Sequence, residues 1–189
     1  QALVSAGTAI GGTMQYRLGE IGDFSTDIPK AENAGNYTVY YKVVGDTNHN
    51  DSTVMNLTVT IDPMKIDHAK FVKDISKAYD GKPTFDLVAE DKASYLTFYD
   101  AHMQPISVPA EAYEISGVNF GTQDADHNFV PSAKVGDKPG IQFTVEFKSS
   151  NYVLQADDVD EPTLALTYTQ YGGANFTITK GDLIFSGIT

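Results

Sequence analysis

Clustered carboxylates are the first feature of the sequence that could do chemistry. Four of them fall within five residues, at Asp157, Asp158, Asp160 and Glu161. Hard cations such as Ca²⁺ bind to clustered oxygen ligands, so this segment is a candidate calcium site. The same composition is typical of a solvated acidic loop that binds no metal. Both interpretations stay open at this point.

A second polar stretch begins like an EF-hand loop, with the sequence Asp-Thr-Asn-His-Asn at residues 46–50. Such a loop needs glycine at its sixth position and glutamate at its twelfth. Asp51 occupies the sixth position and Leu57 occupies the twelfth. The stretch therefore predicts a hairpin turn and not a cation site.

Covalent and acid–base catalysis lack their usual residue patterns in this chain. It has no cysteine, and its four histidines are not paired at metal-ligand spacing (His49, His68, His102 and His127). It contains no Gly-x-Ser-x-Gly elbow, no Walker sequence and no Gly-x-Gly-x-x-Gly loop. The sequence therefore predicts a protein that is not an enzyme and that uses no cofactor.

Aromatic side chains are the remaining candidates for ligand binding, because sugar rings stack on exposed aromatic faces. The chain has 11 Tyr and 10 Phe but no Trp. Tyr40 lies beside Lys42 on the predicted polar face of a strand, and Tyr95 and Tyr99 lie on one face of another strand. Core packing and strand propensity also explain such residues. The three tyrosines are the candidate glycan contacts.

The overall charge excludes one class of partner. The chain has 13 Lys and Arg against 25 Asp and Glu, a formal charge of −12. Because this charge repels phosphate backbones, we expect no nucleic-acid partner. The hydrophobic content of 41% is enough for a buried core. No run approaches 18 apolar residues, so we expect no membrane insertion in this fragment.

Period-two alternation dominates the chain and predicts strands. Residues 37–44 place Tyr37, Val39, Tyr41 and Val43 on one face, and residues 53–61 place Met55, Leu57, Val59 and Ile61 on one face. The turn residues 45–51 join these two segments into a predicted hairpin.

The second half of the chain has the same pattern. Residues 141–148 alternate apolar and polar side chains, and shorter strands are predicted at 95–99, 113–118, 164–168 and 176–179. Only residues 76–79 and 110–113 could form a turn of helix. Many short strands separated by turn signals indicate an all-β sandwich or barrel.

A proline suggests where the chain divides. Asp62-Pro63-Met64 follows a predicted strand, and proline cannot donate to a strand ladder. We therefore predict one module at residues 1–62 and a second at residues 63–189. The second is long for one sandwich, so insertions are expected at residues 121–137 and 156–162.

An internal repeat links the two predicted modules. Residues 57–66 align with residues 176–185: each is an alternating strand, then a polar break, then a new apolar start. Each is preceded by an alternating strand and a turn that contains asparagine, at residues 47–49 and 149–152. Residues 182–189 then match the opening strand of a further module, so we expect the chain to be a segment of an array.

Three stretches of the first module carry a resemblance to a known family. They are residues 1–16, Asn-Ala-Gly-Asn-Tyr-Thr-Val-Tyr-Tyr-Lys-Val at 33–43 and Gly-Asp-Thr-Asn at 45–48. Together they resemble the MBG repeat of bacterial surface proteins. That family has a Tyr-Asn-Gly-like segment ahead of the first stretch, and here it is absent, so the first module is expected to lack its opening strand. Lys-Ala-Tyr-Asp-Gly-Lys-Pro-Thr at 77–84 resembles the related YDG-type repeat. Residues 98–100 and 105–106 fit its hairpin, although residues 101–104 replace the usual Asp-Gly turn.

The resemblance implies two consecutive Ig-like antiparallel β-sandwich modules, the second enlarged by insertions. It implies a bacterial protein, of the kind found in gut Firmicutes, that is secreted or held at the cell surface. Such modules serve as stalks, spacers or adhesive segments. The expected partners are neighbouring modules of the same polypeptide, and glycans or host surface proteins. The alternative is a carbohydrate-binding module for host or cell-wall glycan.

Overall fold

The computed structural model describes residues 1–155 and 161–182, and it is all-β: most residues lie in strands, and there is almost no helix. The chain divides into two compact units, Gln1–Pro63 and Met64–Thr189. The division falls within the proline-containing segment from which the two modules were predicted. Within the described ranges, no helix is long and apolar enough to cross a membrane.

The first unit is built on one antiparallel sheet. Its strands are β1 (Gly12–Leu18), β2 (Gly35–Gly45) and β3 (Met55–Ile61), in the order β1-β2-β3. The predicted hairpin is confirmed, because β2 and β3 pair antiparallel with Tyr37 opposite Val59. The polar loop between β2 and β3 is the predicted turn.

The core of the first unit is small. Leu3, Tyr16 and Val39 are its buried residues. Val59 and Ile61 pack against them from β3, as their alternation predicted. The same alternation placed Met55 and Leu57 inside, but these side chains are 48% and 38% exposed. In the described part of this unit no second sheet covers that end of β3, and this explains the difference.

The second unit holds the other strands of the described residues. They are β4 (Met64–Ile66), β5 (His68–Phe71), β6 (Ile75–Ala78), β7 (Leu96–Tyr99), β8 (Pro105–Ile106), β9 (Tyr113–Gln123), β10 (Phe129–Pro131), β11 (Gly136–Phe147), β12 (Tyr152–Leu154) and β13 (Ala165–Thr179). A four-residue helix, α1 (Lys92–Tyr95), and the 3-10 turns Ala89–Asp91 and Ala110–Ala112 complete it. The turn of helix predicted near residue 110 is confirmed, whereas the one predicted at residues 76–79 is wrong, since β6 occupies most of that segment.

In residues 64–155 and 161–182 the second unit has three sheets, with strand orders β10-β9-β11-β13-β6, β5-β7-β8 and β12-β4. Most pairings are antiparallel, but β6 runs parallel to β13 and β12 runs parallel to β4. The sheets are therefore mostly antiparallel, and the sequence did not predict the two parallel pairings. These parallel partners are far apart in sequence, so no hairpin forces an antiparallel arrangement.

The core of the second unit lies between the five-stranded and three-stranded sheets. The alternation at residues 141–148 predicted its centre correctly, since Ile141, Phe143, Val145 and Phe147 are all 2% exposed or less. Phe71 on β5 meets Phe143 edge to face, with ring centroids 5.5 Å apart. Aromatic pairs of this kind stabilise a core by about 0.5–1.5 kcal/mol beyond the area they bury.

β13 has a bulge, and a side chain next to this bulge forms hydrogen bonds with β5. The register between β11 and β13 jumps over residues 172–175, where Gly172 and Gly173 have φ of 73° and 83°. Next to this bulge the Gln170 side chain bonds both backbone groups of Phe71: its Oε1 accepts from the N–H at 2.6 Å and its Nε2 donates to the carbonyl at 2.8 Å. On the other side, Asn175 donates to the Asp74 carboxylate from its backbone and its side chain.

The hairpin of β7 and β8 is confirmed, and its turn needs no Asp-Gly pair. The Asp100 carboxylate accepts hydrogen bonds from the N–H groups of His102 and Gln104, at 2.9 and 2.8 Å. Met103 takes the left-handed position, with φ of 58°. The hairpin of β9 and β10 repeats this turn with Asp124, Asp126, His127 (φ 65°) and Asn128.

Both units contain the same three-strand arrangement. The order β1-β2-β3 in the first unit matches β9-β11-β13 in the second, all antiparallel. The extra strand β10 lies in the predicted insertion at residues 121–137. The aligned segments 57–66 and 176–185 begin on β3 and β13. Residues 156–160, in the other predicted insertion, and residues 183–189, in the predicted further module, lie outside the described residues.

The Gln170 contact predicts a loss of stability in Gln170→Ala. The Phe71 N–H and carbonyl would lose their partners next to the core, and an unsatisfied buried group costs about 1–3 kcal/mol. We expect the free energy of unfolding to fall by about 2–4 kcal/mol in urea titrations. Gln142→Ala is the control, because its partly exposed side chain donates to the Thr169 hydroxyl and not to a backbone group of the core. Equal effects of the two substitutions would contradict the role given to Gln170.

Candidate functional site

The carboxylate cluster is largely beyond what the structure describes. Asp157, Asp158 and Asp160 lie outside the described residues, and Glu161 is exposed. Among the described residues, no group of three or more His, Asp or Glu side chains could hold a metal ion. Calcium binding at residues 157–161 stays a prediction.

The polar loop at residues 46–51 uses its carboxylates to build the turn. The Asp46 Oδ1 accepts a hydrogen bond from the Asn48 N–H at 2.9 Å and lies 2.7 Å from His49 Nδ1. Asp51 Oδ1 accepts from the Gly45 N–H at 3.0 Å. The bond to the His49 side chain is the main cause that lowers the pKa of Asp46, and the Asn48 N–H adds to it.

The three candidate tyrosines do not form one site. Tyr95 ends helix α1 and is 3% exposed, with its ring 5.5 Å from Phe71 and beneath the Lys73 ammonium. The prediction that Tyr95 shares a strand face with Tyr99 is wrong, because α1 leads the chain into β7 and buries this ring. Tyr99 lies on β7, partly exposed, with the Lys70 ammonium 5.7 Å from its ring centroid. Tyr40 belongs to the first unit.

Tyr40 is part of a cation–aromatic cluster on the sheet of the first unit. The Arg17 guanidinium lies 5.1 Å from the Tyr40 ring and 4.7 Å from the Phe24 ring, and Lys42 also lies over Phe24. The Tyr40 hydroxyl donates to Glu20 at 3.3 Å. Burial first, and then Glu20, raises the pKa of Tyr40. Because Arg17 lies against the ring, that face of Tyr40 is occupied by the protein itself.

An aromatic pair that the sequence did not indicate lies on the five-stranded sheet. Phe129 on β10 and Tyr171 on β13 have ring centroids 6.4 Å apart. Each ring lies over a glycine of a neighbouring strand: a Cβ at Gly121 would meet Phe129 at 2.3 Å, and one at Gly140 would meet Tyr171 at 2.6 Å. Tyr171 is 37% exposed. Glycine at paired positions of β9 and β11 was the available signal, since it admits a ring against the backbone.

The first unit also has an apolar cleft on the inner face of its sheet. The cleft has a volume of about 150 Å³. Its lining comes from the segment at residues 4–7 and from all three strands, and it includes Val4, Met14, Val39, Tyr41 and Leu57. It therefore reaches the exposed strand β3 at Leu57. A cleft of this kind can take an apolar side chain.

Comparisons with protein-family models, with curated proteins and with solved structures find no match for this chain. The resemblance to the MBG and YDG-type repeats therefore stays a prediction from the residues.

The Asp46–His49 contact predicts a titration that can be measured. The carboxyl of Asp46 should titrate below its ordinary value of 3.8 in the folded protein. Because its pKa is lowered by folding, the contact stabilises the fold above that value, and this stabilisation is lost as the pH falls through the lowered pKa. The ¹³C chemical shift of the Asp46 carboxyl group, followed as a function of pH, gives the midpoint of this titration. In His49→Ala the midpoint should rise toward 3.8, and an unchanged midpoint would exclude His49 as the cause.

Proposed function

We propose that this chain is a non-catalytic structural segment of an extracellular bacterial surface protein, made of two consecutive Ig-like modules of the MBG and YDG types. In this proposal it serves as a stalk that spaces or presents an adhesive part of the same polypeptide. The observation that carries the proposal is the parallel pairing of β6 with the end of β13 in the second unit.

The pairing supports a load-bearing role because of its direction. β6 lies near the start of the second unit, and its partner residues, Phe176–Thr179, end β13. Tension on the two chain ends draws β6 toward its N-terminal side and β13 toward its C-terminal side. For parallel strands these directions are opposite, so the ladder bonds are loaded together in shear. Separation then requires several bonds to break at once.

The repeated strand arrangement gives a second line of support. The match between β1-β2-β3 and β9-β11-β13 is the relation expected between successive modules of an array. In such arrays each module interacts mainly with its neighbours, so the expected partners are further modules of the same polypeptide. A sequence without the residue patterns of catalysis is consistent with this role.

Single-molecule force spectroscopy tests the proposal through Tyr79. Its N–H donates to the Thr179 carbonyl at 2.9 Å, while its side chain is 52% exposed. Tyr79→Pro removes this donor, which costs about 1 kcal/mol, and we expect a lower unfolding force for the second unit. Tyr79→Ala keeps the N–H and is the matched control. Equal forces for the two variants, or unfolding of the parent chain under negligible load, would contradict a load-bearing role.

Glycan binding is the second candidate function, and the pair Phe129–Tyr171 is the observation that favours it. Two rings resting over Gly121 and Gly140 present aromatic surface on the sheet, and Tyr171 is partly exposed. Aromatic surface of this kind suits the apolar face of a sugar ring. Phe129 lies within the predicted insertion at residues 121–137.

A glycan array followed by calorimetry tests this candidate. If a host or cell-wall glycan binds at the pair, Tyr171→Ala should weaken binding by about tenfold, the equivalent of one good stacking contact. Tyr79→Ala removes another exposed tyrosine of the second unit and should leave the affinity unchanged. If no glycan binds the parent chain, or if both variants bind as it does, the pair is not a sugar site.

A further inference from the structure

We propose that the outer face of the five-stranded sheet, the face turned away from the core, binds an uncharged, β-linked oligosaccharide that runs along β11. One of its sugars stacks on the pair Phe129–Tyr171. The next sugar forms hydrogen bonds with Asn119 and Gln142. This inference rests on the second candidate function, glycan binding at the aromatic pair, and deepens it by naming the class of sugar chain and a second subsite.

The first subsite is built on a row of residues that crosses three strands and is called the glycine row here. Gly121 on β9 is the partner of Gly140 on β11, and Tyr171 on β13 is the other partner of Gly140. Phe120 and Ile141, which follow or precede these glycines, point into the core, so the glycines lie on the outer face. Both glycines are nevertheless buried, because the two aromatic rings rest on them. The aromatic surface therefore lies low on the sheet, where a sugar ring can stack on it.

The second subsite is the next row along the same strands, called the amide row here. Its members are direct partners: Asn119 on β9, Gln142 on β11 and Thr169 on β13. The amide row lies two residues from the glycine row on each strand, a distance of about 7 Å. Thr169 is exposed, and the two amide residues are partly exposed. A sugar chain that stacks on the aromatic pair and runs along β11 therefore passes over these polar side chains.

The two amide side chains are held in place by the protein and keep hydrogen-bonding capacity for a ligand. Gln142 Nε2 donates to the Thr169 hydroxyl at 3.2 Å, and Asn119 Nδ2 donates to the Gly117 carbonyl at 2.8 Å. Each amide nitrogen has a second hydrogen, and neither amide oxygen accepts a hydrogen bond from the described residues. One spare donor and one spare acceptor match two neighbouring hydroxyl groups of a sugar, each of which can donate and accept.

Charge decides the class of sugar chain. The glycine row and the amide row contain no charged side chain. Further along the same strands, Lys92 pairs with Glu114 at 3.4 Å. Lys148 pairs with Glu146 at 2.8 Å. These rows therefore offer no unpaired ammonium group to an acidic sugar, and the net charge of −12 repels one. The face suits an uncharged chain.

The strand register decides the shape of the sugar chain. Pairing of β11 with both of its neighbours is continuous from the glycine row to the amide row, and it shifts only outside them, between Lys138 and Gly140 and between Gln142 and Thr144. The two subsites therefore lie on one uninterrupted piece of sheet. A β-linked pyranose chain is extended and presents successive rings to such a surface, whereas an α-linked chain curls away from it.

The test is an NMR titration of the complete ¹⁵N-labelled chain with three uncharged β-linked probes: cellohexaose, β-mannohexaose and chitohexaose. We expect at least one probe to shift the side-chain amide signals of Asn119 and Gln142 together with the backbone N–H signals of Gly121 and Gly140. Maltohexaose, which is uncharged but α-linked, and a hyaluronan hexasaccharide, which is β-linked but acidic, should shift neither set. Equal shifts with either control would overturn the proposed class of sugar chain.

The same titration separates this inference from the candidate function on which it rests. Shifts at Gly121 and Gly140 without shifts at the two side-chain amides would overturn the second subsite and leave glycan binding at the aromatic pair in place. No shift with any of the three probes would overturn both. Shifts of the Asn119 and Gln142 signals with protein concentration, in the absence of sugar, would show that a second copy of the chain covers the face and would also overturn the proposal.

A matched pair of glutamine variants tests the amide row by calorimetry with the probe that binds. Gln142→Ala removes one amide of the second subsite, and we expect Kd to rise by about fivefold, the equivalent of one net hydrogen bond. Gln104→Ala removes an exposed glutamine from the turn between β7 and β8 and should leave Kd unchanged. Equal affinities of these two variants would overturn the amide subsite, whereas equal affinities of Tyr171→Ala and the parent chain would overturn the candidate function itself.

Discussion

The fold of the second unit depends on the burial of alternate side chains between two sheets. Phe143 illustrates this, because it meets Phe71 of the facing sheet on one side and Tyr168 of its own sheet on the other. Interiors of this kind are packed as densely as organic crystals, so each ring fixes the position of its neighbours. The bonds of Gln170 and Asp74 then join strands that this packing has already brought close together.

The first unit has only one sheet in its described residues, and the layer that covers its inner face is thin. It has the same antiparallel trio of strands, yet Leu3, Tyr16 and Val39 are its whole set of fully buried apolar residues within the described ranges. The segment at residues 4–7 covers part of the sheet and leaves a cleft beside Leu57. A small core of this kind gains stability when further apolar surface is covered.

Alternation predicted the buried face of β11 because each inward residue there meets a covering layer. On β2 it predicted the face that holds the buried Val39, and Tyr37 and Tyr41 are only partly buried beside it. It could not predict the environment of Tyr95, since the residue ends a helical turn whose burial is set by Phe71 on a distant strand. Periodicity also carries no information on which strands pair, so the parallel partnership of β6 and β13 was not foreseen. The pair of Phe129 and Tyr171 was missed for the same reason, because their strands are neighbours of β9 and β11 and not of each other.

The twin turns at Asp100 and Asp124 have a consequence for how this sequence can change. In each turn the carboxylate of the first residue holds the backbone of the third and the fifth. The second residue is alanine in both turns, and the others differ without altering the geometry. Substitutions at the other positions of these two turns are therefore tolerated as long as Asp100 and Asp124 are kept. The two hairpins can then acquire new surface side chains while their strands stay in place.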